Sequence, residues 1–233
     1  MPELDASDNL AQQFTAVKSQ IELACVQTQK SALSVQLLAV SKKHPAEKIQ
    51  QLYGLGQSRF GENYVQEGVD KVQALADLNI EWHFIGPIQS NKSRLVSEHF
   101  HWVHTIGNEK IARRLNEQRP SQMPALNVLI QVNISKQDSK SGINLDQIEA
   151  LATSISNMKN LTLRGLMCIP APLDETALKD EFKQMQQAFL ELKKQYPQVD
   201  TLSMGMSADL ESAIECGSTM VRIGSAIFGA RPN

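Results

Sequence analysis

The amino-acid sequence predicts an α/β fold, a (β/α)8 TIM barrel preceded by one extra N-terminal helix. Short apolar segments alternate with longer amphipathic segments eight times within about 200 residues. The connections between them are short, and no low-complexity stretch or change in composition marks a second domain. We therefore expect one domain over residues 1–233, with a doubly wound open sheet as the alternative architecture.

The first helix and the first strand are the clearest elements. Residues 8–30 carry an apolar stripe at helical spacing, formed by Leu10, Phe14, Val17, Ile21 and Ala24. The segment 37–42 is a short apolar run that ends in Ser41 and Lys42, shortly before Pro45. Such a run between a polar segment and a helix-breaking residue is typical of a buried parallel strand.

The remaining elements follow the same two periodicities. Further strands are predicted at 59–62, 80–86, 101–106, 127–133, 163–169, 201–205 and 220–224. Helices are predicted at 45–54, 63–76, 90–98, 108–118, 144–155, 174–195 and 208–216. Asn63 with Gln66, and Asn144 with Gln147, have the spacing of a helix capping box.

Composition excludes several classes of protein. Hydrophobic residues make up 42% of the chain, charged residues 21%, and the formal net charge is −2. Because no cluster of five basic residues occurs, we expect no nucleic-acid or anionic-membrane partner. No apolar run approaches the roughly 18 residues of a membrane span, and no secretion signal is evident. Three cysteines without a C-x-x-C pair complete the expectation of a reduced, cytoplasmic protein.

A barrel places its functional residues at the carboxyl ends of its strands, and Lys42 lies at the first of these. Most lysines at strand ends are simply solvated. A lysine in an apolar setting, however, loses basicity and can form a Schiff base with an aldehyde. Alternation along the strand favours Lys42 over Lys43, because Lys42 shares a face with Leu38 and Val40.

The ends of strands seven and eight have the composition of a phosphate site. Barrels frequently hold a phosphate in these two loops, where backbone N–H groups and a helix dipole favour an anion. Gly205 and Gly224 permit close approach of a ligand, and Ser207 and Ser225 offer hydroxyl groups. Alternatively, Ser207 only caps a helix and the glycines only form turns.

Arg222 lies inside the eighth strand, on the same face as Met220 and Gly224. An arginine buried in a barrel mouth is unfavourable unless something accepts its hydrogen bonds. A ligand is one possible acceptor. An ion pair with Glu211 or Glu215 is the structural alternative.

A lysine, a phosphate site and an inward-facing arginine together favour pyridoxal 5′-phosphate as the cofactor. This molecule supplies both the aldehyde and the phosphate, and its ring nitrogen needs a protein partner. An arginine in that place stays charged and disfavours a protonated pyridine, which weakens the ring as an electron sink. Asn63 either contacts the ligand or caps a helix, and His83 either lines the mouth or is a satisfied core histidine. His99, His101 and His104 are not expected to bind a metal.

Several long segments resemble one family. They include 37–42 (LLAVSK), 60–67 (FGENYVQE), 82–92 (WHFIGPIQSNK), 202–207 (LSMGMS) and 217–224 (GSTMVRIG). The chain resembles the pyridoxal phosphate homeostasis protein family over nearly its whole length. The resemblance implies a single barrel similar to the N-terminal domain of alanine racemase.

The resemblance also implies a role for each candidate residue. Lys42 would hold the cofactor as an internal aldimine, and Arg222 would face the pyridine nitrogen. The phosphate would lie among Ser207, Gly224 and Ser225, and the ring near Asn63 and His83. Lys140 is a further candidate neighbour, supported by fewer features. His44, two residues after the lysine, departs from the pattern expected of the family.

An enzyme of the racemase type needs a second base opposite the lysine, which in alanine racemases is a tyrosine of a C-terminal domain. This chain ends nine residues after Gly224, and its tyrosines, Tyr53, Tyr64 and Tyr196, fall in predicted helices or helix starts. We therefore expect a monomeric cofactor carrier without catalytic turnover, which serves vitamin B6 homeostasis or delivery to apoenzymes that depend on pyridoxal phosphate. The alternatives are a small racemase or lyase using this cofactor, and a Schiff-base aldolase acting on sugar phosphates.

Overall fold

Eight parallel strands form a closed barrel in a computed structural model that describes residues 6–137 and 140–230. The strands are β1 (Gln36–Val40), β2 (Arg59–Glu62), β3 (Glu81–Phe84), β4 (Trp102–Ile106), β5 (Leu126–Val132), β6 (Leu161–Cys168), β7 (Thr201–Ser203) and β8 (Met220–Ile223). Each strand pairs with the next along the chain, and β8 pairs with β1. The prediction of a (β/α)8 barrel is confirmed, and the open sheet is wrong.

Helices surround the barrel in the described part of the chain. They are α1 (Ala6–Gln27), α2 (Ala46–Gly54), α3 (Val65–Ala74), α4 (Ser93–His99), α5 (Glu109–Gln118), α6 (Ile148–Ser156), α7 (Glu175–Gln195), α8 (Leu210–Glu215) and α9 (Ser225–Phe228). Short 3₁₀ turns, Ser90–Lys92 and Leu145–Gln147, precede α4 and α6. The sequence did not predict α9, because one helical turn is too short to show a periodicity.

The first helix completes the outer ring of helices. It packs against α8, α9 and α2, and its apolar stripe is buried as predicted. Gln20 in α1 donates to Glu211 in α8 over 2.9 Å. Because α9 has only four residues, α1 covers the part of the barrel wall that a full eighth helix would otherwise cover.

One of the two predicted capping boxes exists. Asn144 and Gln147 form both hydrogen bonds of the box, which fixes the start of the turn before α6. The box predicted for Asn63 is wrong, because α3 starts one residue later with Tyr64 as its N-cap and no side-chain cap. The Asn63 side chain is therefore left for another role.

Two apolar clusters hold the barrel together. The larger one lies between the strands and the surrounding helices, and it includes Phe60, Phe84 and Phe182. A small cluster of Trp102, Leu129 and Met167 lies inside the barrel. Among the described helices, none is long and apolar enough to cross a membrane.

Candidate functional site

A cavity of about 280 Å³ opens at the carboxyl ends of the strands, where a barrel carries its functional residues. Its walls come from the ends of β1, β2, β3, β6, β7 and β8. They consist of Val40, Lys42, His44, Asn63, Ile85, Ile169, Met206, Ser207, Ala208, Arg222, Gly224 and Ser225. Six of the seven predicted site residues therefore meet at this cavity, and His83 does not line it.

The loop that carries Lys42 is anchored to the outside of the barrel wall. Ser41 Oγ donates to Glu62 Oε1 over 2.6 Å, and Lys71 Nζ donates to the Ser41 carbonyl over 2.8 Å. Lys71 also donates to Glu62 Oε1 over 2.7 Å. Burial raises the pKa of the Glu62 carboxyl, and the Lys71 charge opposes that rise. These bonds fix the backbone directly before Lys42.

The backbone directly after Lys42 is fixed as well. Lys43 adopts a left-handed conformation with φ of 62°, and its N–H donates to Glu67 Oε1 over 2.5 Å. Glu67 also accepts a hydrogen bond from Lys71 over 2.6 Å. Because bonds on both sides hold the loop, Lys42 lines the cavity while Lys43 is exposed on its outer side.

Arg222 is the buried cation of the cavity. Its Nη1 donates to the carbonyl and to the hydroxyl of Ser203, each over 2.8 Å, and its Nη2 donates to the Cys168 carbonyl over 2.9 Å. Burial lowers the pKa of the guanidinium. All three acceptors are neutral, so its charge lacks a carboxylate partner among these contacts.

The proposed ion pair of Arg222 with the glutamates of α8 does not occur. Glu215 pairs instead with Lys179 over 2.8 Å, and Glu211 accepts from Gln20. These carboxylates belong to the outer surface of the barrel. The reason is geometric, because Arg222 faces the interior and α8 packs on the outside.

The loops after β7 and β8 form the polar side of the cavity. Gly205 has φ of 98°, which turns the chain sharply after β7, and Ser207 follows on the cavity wall. Ser207 is not the N-cap of α8, since that position is Asp209. A Cβ on Gly224 would lie 3.3 Å from the Val40 carbonyl oxygen, and α9 begins directly afterwards at Ser225.

Asn63 presents an unsatisfied acceptor in this region. Its Oδ1 is buried and has no hydrogen-bond partner within the described residues, although the residue lines the cavity. Its carbonyl oxygen packs so closely on Gly86 that a Cβ there would lie 2.0 Å away. A buried unpaired amide oxygen is unfavourable, and a ligand hydroxyl would satisfy it.

His83 lies deeper in the barrel, where it is fully buried. Its Nδ1 is 2.9 Å from His104 Nε2, its Nε2 is 3.1 Å from Glu81 Oε1, and its ring stacks on Trp102. Of its two predicted roles, the satisfied core histidine describes these contacts. Lys140 Nζ donates to the carbonyls of Ile169 and Pro170, beside the cavity but outside its lining.

Sequence reasoning did not include six of the lining residues among its predicted site residues: Val40, His44, Ile85, Ile169, Met206 and Ala208. His44 is buried and stacks on Phe228 of α9 with a centroid distance of 5.0 Å. Its place two residues after Lys42 was the available signal. The apolar residues gave none, because an isoleucine after a strand is equally common in a core.

Comparison with known proteins places the chain in a family. The alanine racemase N-terminal domain family matches residues 16–232. The pyridoxal phosphate homeostasis protein of Pasteurella multocida is 56% identical over 95% of this chain and 97% of its own length. That of Escherichia coli K12 is 54% identical over 97% of both chains. The chain belongs to the pyridoxal phosphate homeostasis protein family.

Solved structures agree with this assignment. PipY of Synechococcus elongatus, solved with pyridoxal phosphate bound, is 34% identical, covers 94% of this chain and all of its own, and superposes with a TM-score of 0.81. Alanine racemase of Corynebacterium glutamicum gives a TM-score of 0.71 at 15% identity, which shows the shared fold alone. The chain spans 61% of that racemase.

The residues that line the cavity fit pyridoxal phosphate, the cofactor in the family's name. The cavity is lined by the ε-amine of Lys42, the unpaired amide oxygen of Asn63 and the guanidinium of Arg222, whose hydrogen-bond acceptors are neutral. The hydroxyls of Ser207 and Ser225 line it as well. These groups match an aldehyde, a phenolic hydroxyl, a pyridine nitrogen and a phosphate. Within the described ranges, no group of three or more side chains could hold a metal ion.

Proposed function

We propose that the chain binds pyridoxal 5′-phosphate covalently through Lys42 and holds it for intracellular vitamin B6 homeostasis or delivery, without catalytic turnover. The observation that carries the proposal is the convergence of Lys42, Arg222 and the serine hydroxyls on one cavity at the barrel mouth. PipY, at 34% identity, was solved with pyridoxal phosphate bound, which supports the choice of cofactor. Free pyridoxal phosphate is a reactive aldehyde, and a lysine Schiff base keeps it in a reversible, protected form.

Each residue has a part in binding. Lys42 would supply the amine that condenses with the aldehyde and releases water. Ser207, Gly224 and Ser225 would bind the phosphate, since hydroxyls and the first N–H groups of α9 can donate to its oxygens. Arg222 would donate to the ring nitrogen, and Asn63 Oδ1 would accept from the ring hydroxyl.

Two features of the cavity disfavour turnover. Arg222 cannot accept a proton at neutral pH, so it does not support a protonated pyridine and leaves the ring a poor electron sink. No tyrosine, cysteine or carboxylate is among the described residues that line the cavity. The tyrosine that alanine racemases use as a second base therefore has no counterpart among these lining residues. The one imidazole there, His44, follows Lys42 by two residues and stacks on Phe228.

Borohydride reduction tests the covalent link. The protein, loaded with pyridoxal phosphate and reduced, is expected to carry the cofactor mass on the peptide with Lys42. Lys42→Gln should lose this label, and the matched variant Lys43→Gln, one residue further on, should keep it. A label on another lysine, or a colourless protein that traps a sugar phosphate instead, would contradict the proposal.

Transfer and turnover tests separate a carrier from an enzyme. Loaded wild-type protein should reactivate a defined apoenzyme that depends on pyridoxal phosphate, and Lys42→Ala should not. Racemisation or elimination of any amino acid above the rate of free cofactor would establish the racemase or lyase instead. We further propose a single-domain monomer in the cytoplasm, which light scattering and cell fractionation would check.

A further inference from the structure

A continuous row of polar side chains crosses the interior of the barrel. It starts at Arg222 on the cavity wall and passes through Ser203, His104 and His83 to Glu81. The successive distances are 2.8, 3.2, 2.9 and 3.1 Å. Glu81 is the first residue of β3, so the row ends on the face of the barrel opposite the cavity.

The side chains of this row are almost entirely buried, so the loss of any one hydrogen bond would be unfavourable. Ser203, His83 and His104 are fully buried, and Arg222 is 4% exposed. Buried polar groups are strongly unfavourable unless each has a hydrogen-bond partner. Only Glu81, with 38% of its side chain exposed, reaches solvent, and there it also accepts from Arg59 Nε over 3.0 Å.

The chemistry of the two ends fixes the direction of the bonds. A guanidinium only donates, so Ser203 Oγ accepts from Arg222 and has one hydrogen left to donate, towards His104 Nδ1. His104 then carries its proton on Nε2 and donates it to His83 Nδ1. His83 likewise carries its proton on Nε2 and donates it to the Glu81 carboxylate.

The charges along the row agree with this direction. Burial, with His83 and Arg222 close by, lowers the pKa of His104 well below its usual range. Burial also lowers the pKa of His83, although Glu81 opposes this, while Arg59 and His101 add to it. Burial disfavours ionisation of Glu81, but the hydrogen bond from His83 and the Arg59 charge lower its pKa to about 2.

We propose that Ser203, His104 and His83 are positioning residues for Arg222. They form one directional chain of hydrogen bonds that orients the guanidinium towards the cavity and links it to the Glu81 carboxylate across the barrel. This deepens the proposed function, because it rests on Arg222 facing the cofactor ring. The chain lets Arg222 present a fixed donor to the ring nitrogen while its own hydrogen-bond acceptors stay neutral.

The tautomers can be measured without any cofactor. In ¹⁵N-histidine-labelled protein at pH 7, His83 and His104 are expected to be neutral with the proton on Nε2. Spectra of single histidine variants assign the signals. A proton on Nδ1 of His104, or a doubly protonated ring at either position, would overturn the proposal, and this outcome is independent of cofactor binding.

Two substitutions of His104 separate positioning from packing. The amide of His104→Asn lies near the place of Nδ1 and can still accept from Ser203, whereas that of His104→Gln lies near Nε2 and can still donate to His83. We expect His104→Asn to bind pyridoxal phosphate within about two-fold of wild type. His104→Gln should bind about ten-fold more weakly, the effect of losing the hydrogen bond between Ser203 and position 104. A merely structural histidine would give the opposite order, because asparagine leaves the larger void.

Ser203→Ala, with a matched control, completes the test. It should weaken cofactor binding about ten-fold and shift the His104 tautomer signals, because the link between Arg222 and His104 is gone. Ser97→Ala removes another fully buried hydroxyl, which donates to the Leu115 carbonyl, and should change neither. Equal effects of both substitutions would overturn the proposal. Absence of cofactor binding by wild type would instead refute the proposed function and leave the tautomer result standing.

Discussion

Two buried cations lie on the two sides of the same barrel wall, and their surroundings differ. Lys71 belongs to α3, on the outside of the wall, and its amine donates to the carboxylates of Glu62 in β2 and Glu67 in α3. Arg222 lies inside and donates to two carbonyls and a hydroxyl. The outer charge is compensated and anchors a loop. The inner charge is hydrogen-bonded to neutral groups alone, and Asp209 acts on it only through a weaker electrostatic attraction.

This difference shows how a barrel can separate stability from binding. A buried ion pair is expensive to break, because removal of one partner leaves the other charge without compensation. A buried cation held by neutral acceptors costs desolvation in the free protein and gains from an electron-rich ligand. We therefore expect substitution of Lys71 to act mainly on the free energy of unfolding, and substitution of Arg222 to act mainly on cofactor affinity.

Lys71→Met should have the largest effect on stability. It leaves Glu62 buried without its cation, and we expect a loss of about 3–5 kcal/mol in the free energy of unfolding. Urea denaturation followed by tryptophan fluorescence measures it. Lys194→Met, which breaks the exposed pair with Glu191, is the control and should cost under about 1 kcal/mol. Similar losses in the two variants would remove the distinction between the outer group and a surface pair.

Gly86→Ala acts on the backbone of Asn63, which follows Glu62 of the outer ion pair and also lines the cavity. The added Cβ would lie 2.0 Å from the Asn63 carbonyl oxygen, so we expect a loss of about 1–3 kcal/mol and weaker cofactor binding. Gly54→Ala, at the end of α2 with no atom within 4 Å, should instead stabilise by up to about 1 kcal/mol. Unfolding curves and cofactor titrations of both variants test this, and a fully stable Gly86→Ala would contradict the close contact.

Arg222→Met should reverse the pattern of Lys71→Met. It removes the donor to the Ser203 and Cys168 carbonyls but also removes a buried charge that has no carboxylate among its hydrogen-bond partners, so we expect a net loss of only about 1–2 kcal/mol. Cofactor affinity, measured by equilibrium dialysis, should fall at least about ten-fold. Arg222→Lys keeps the positive charge but not the planar guanidinium, so its cofactor affinity should lie between those of wild type and Arg222→Met. An Arg222→Met variant as unstable as Lys71→Met would break the comparison.

Glu81→Gln changes the solvent-exposed end of the hydrogen-bonded row that starts at Arg222, and we expect it to have the smallest effect on the free energy of unfolding. The folded pKa of Glu81 is lowered to about 2 from 4.5, so its stabilisation is present above pH 4.5 and is lost as the pH falls towards 2. Since the side chain is partly exposed, we discount the effect to about 1 kcal/mol at pH 7. Urea unfolding at pH 7 and pH 3 should show the difference between variant and wild type shrinking with acid. A constant difference would contradict the lowered pKa.

Periodicity predicted most of this architecture. Strand and helix positions followed from the spacing of apolar residues, and the closed barrel followed from their regular alternation. The structural details that differ are local. Asn63 was expected to cap a helix because its spacing to Gln66 is that of a capping box, but the helix starts one residue later. One residue decides whether this amide faces a helix end or a cavity, and a spacing pattern cannot resolve that difference.

The depth of a side chain inside the barrel also could not be predicted from the sequence. Alternation places His83 inside, but not at a particular layer, and its contacts with His104 and Glu81 depend on the shear between strands. The inward direction of Arg222 was predicted, whereas its neutral partners Ser203 and Cys168 were not. Contacts of this kind join strands that are far apart in the chain, so no local pattern records them.

The packing of α1 on α8 and α9 has a consequence for synthesis on the ribosome. β1 pairs with β8, and α1 covers elements that lie almost 200 residues later in the chain, so the first elements to emerge must wait for the last. Until then, the edge of β1 that pairs with β8 and the part of α1 that packs on α8 and α9 lack their native partners, and such surfaces promote aggregation. The seam between the two ends of the sequence is therefore the part of this barrel that should need a chaperone most.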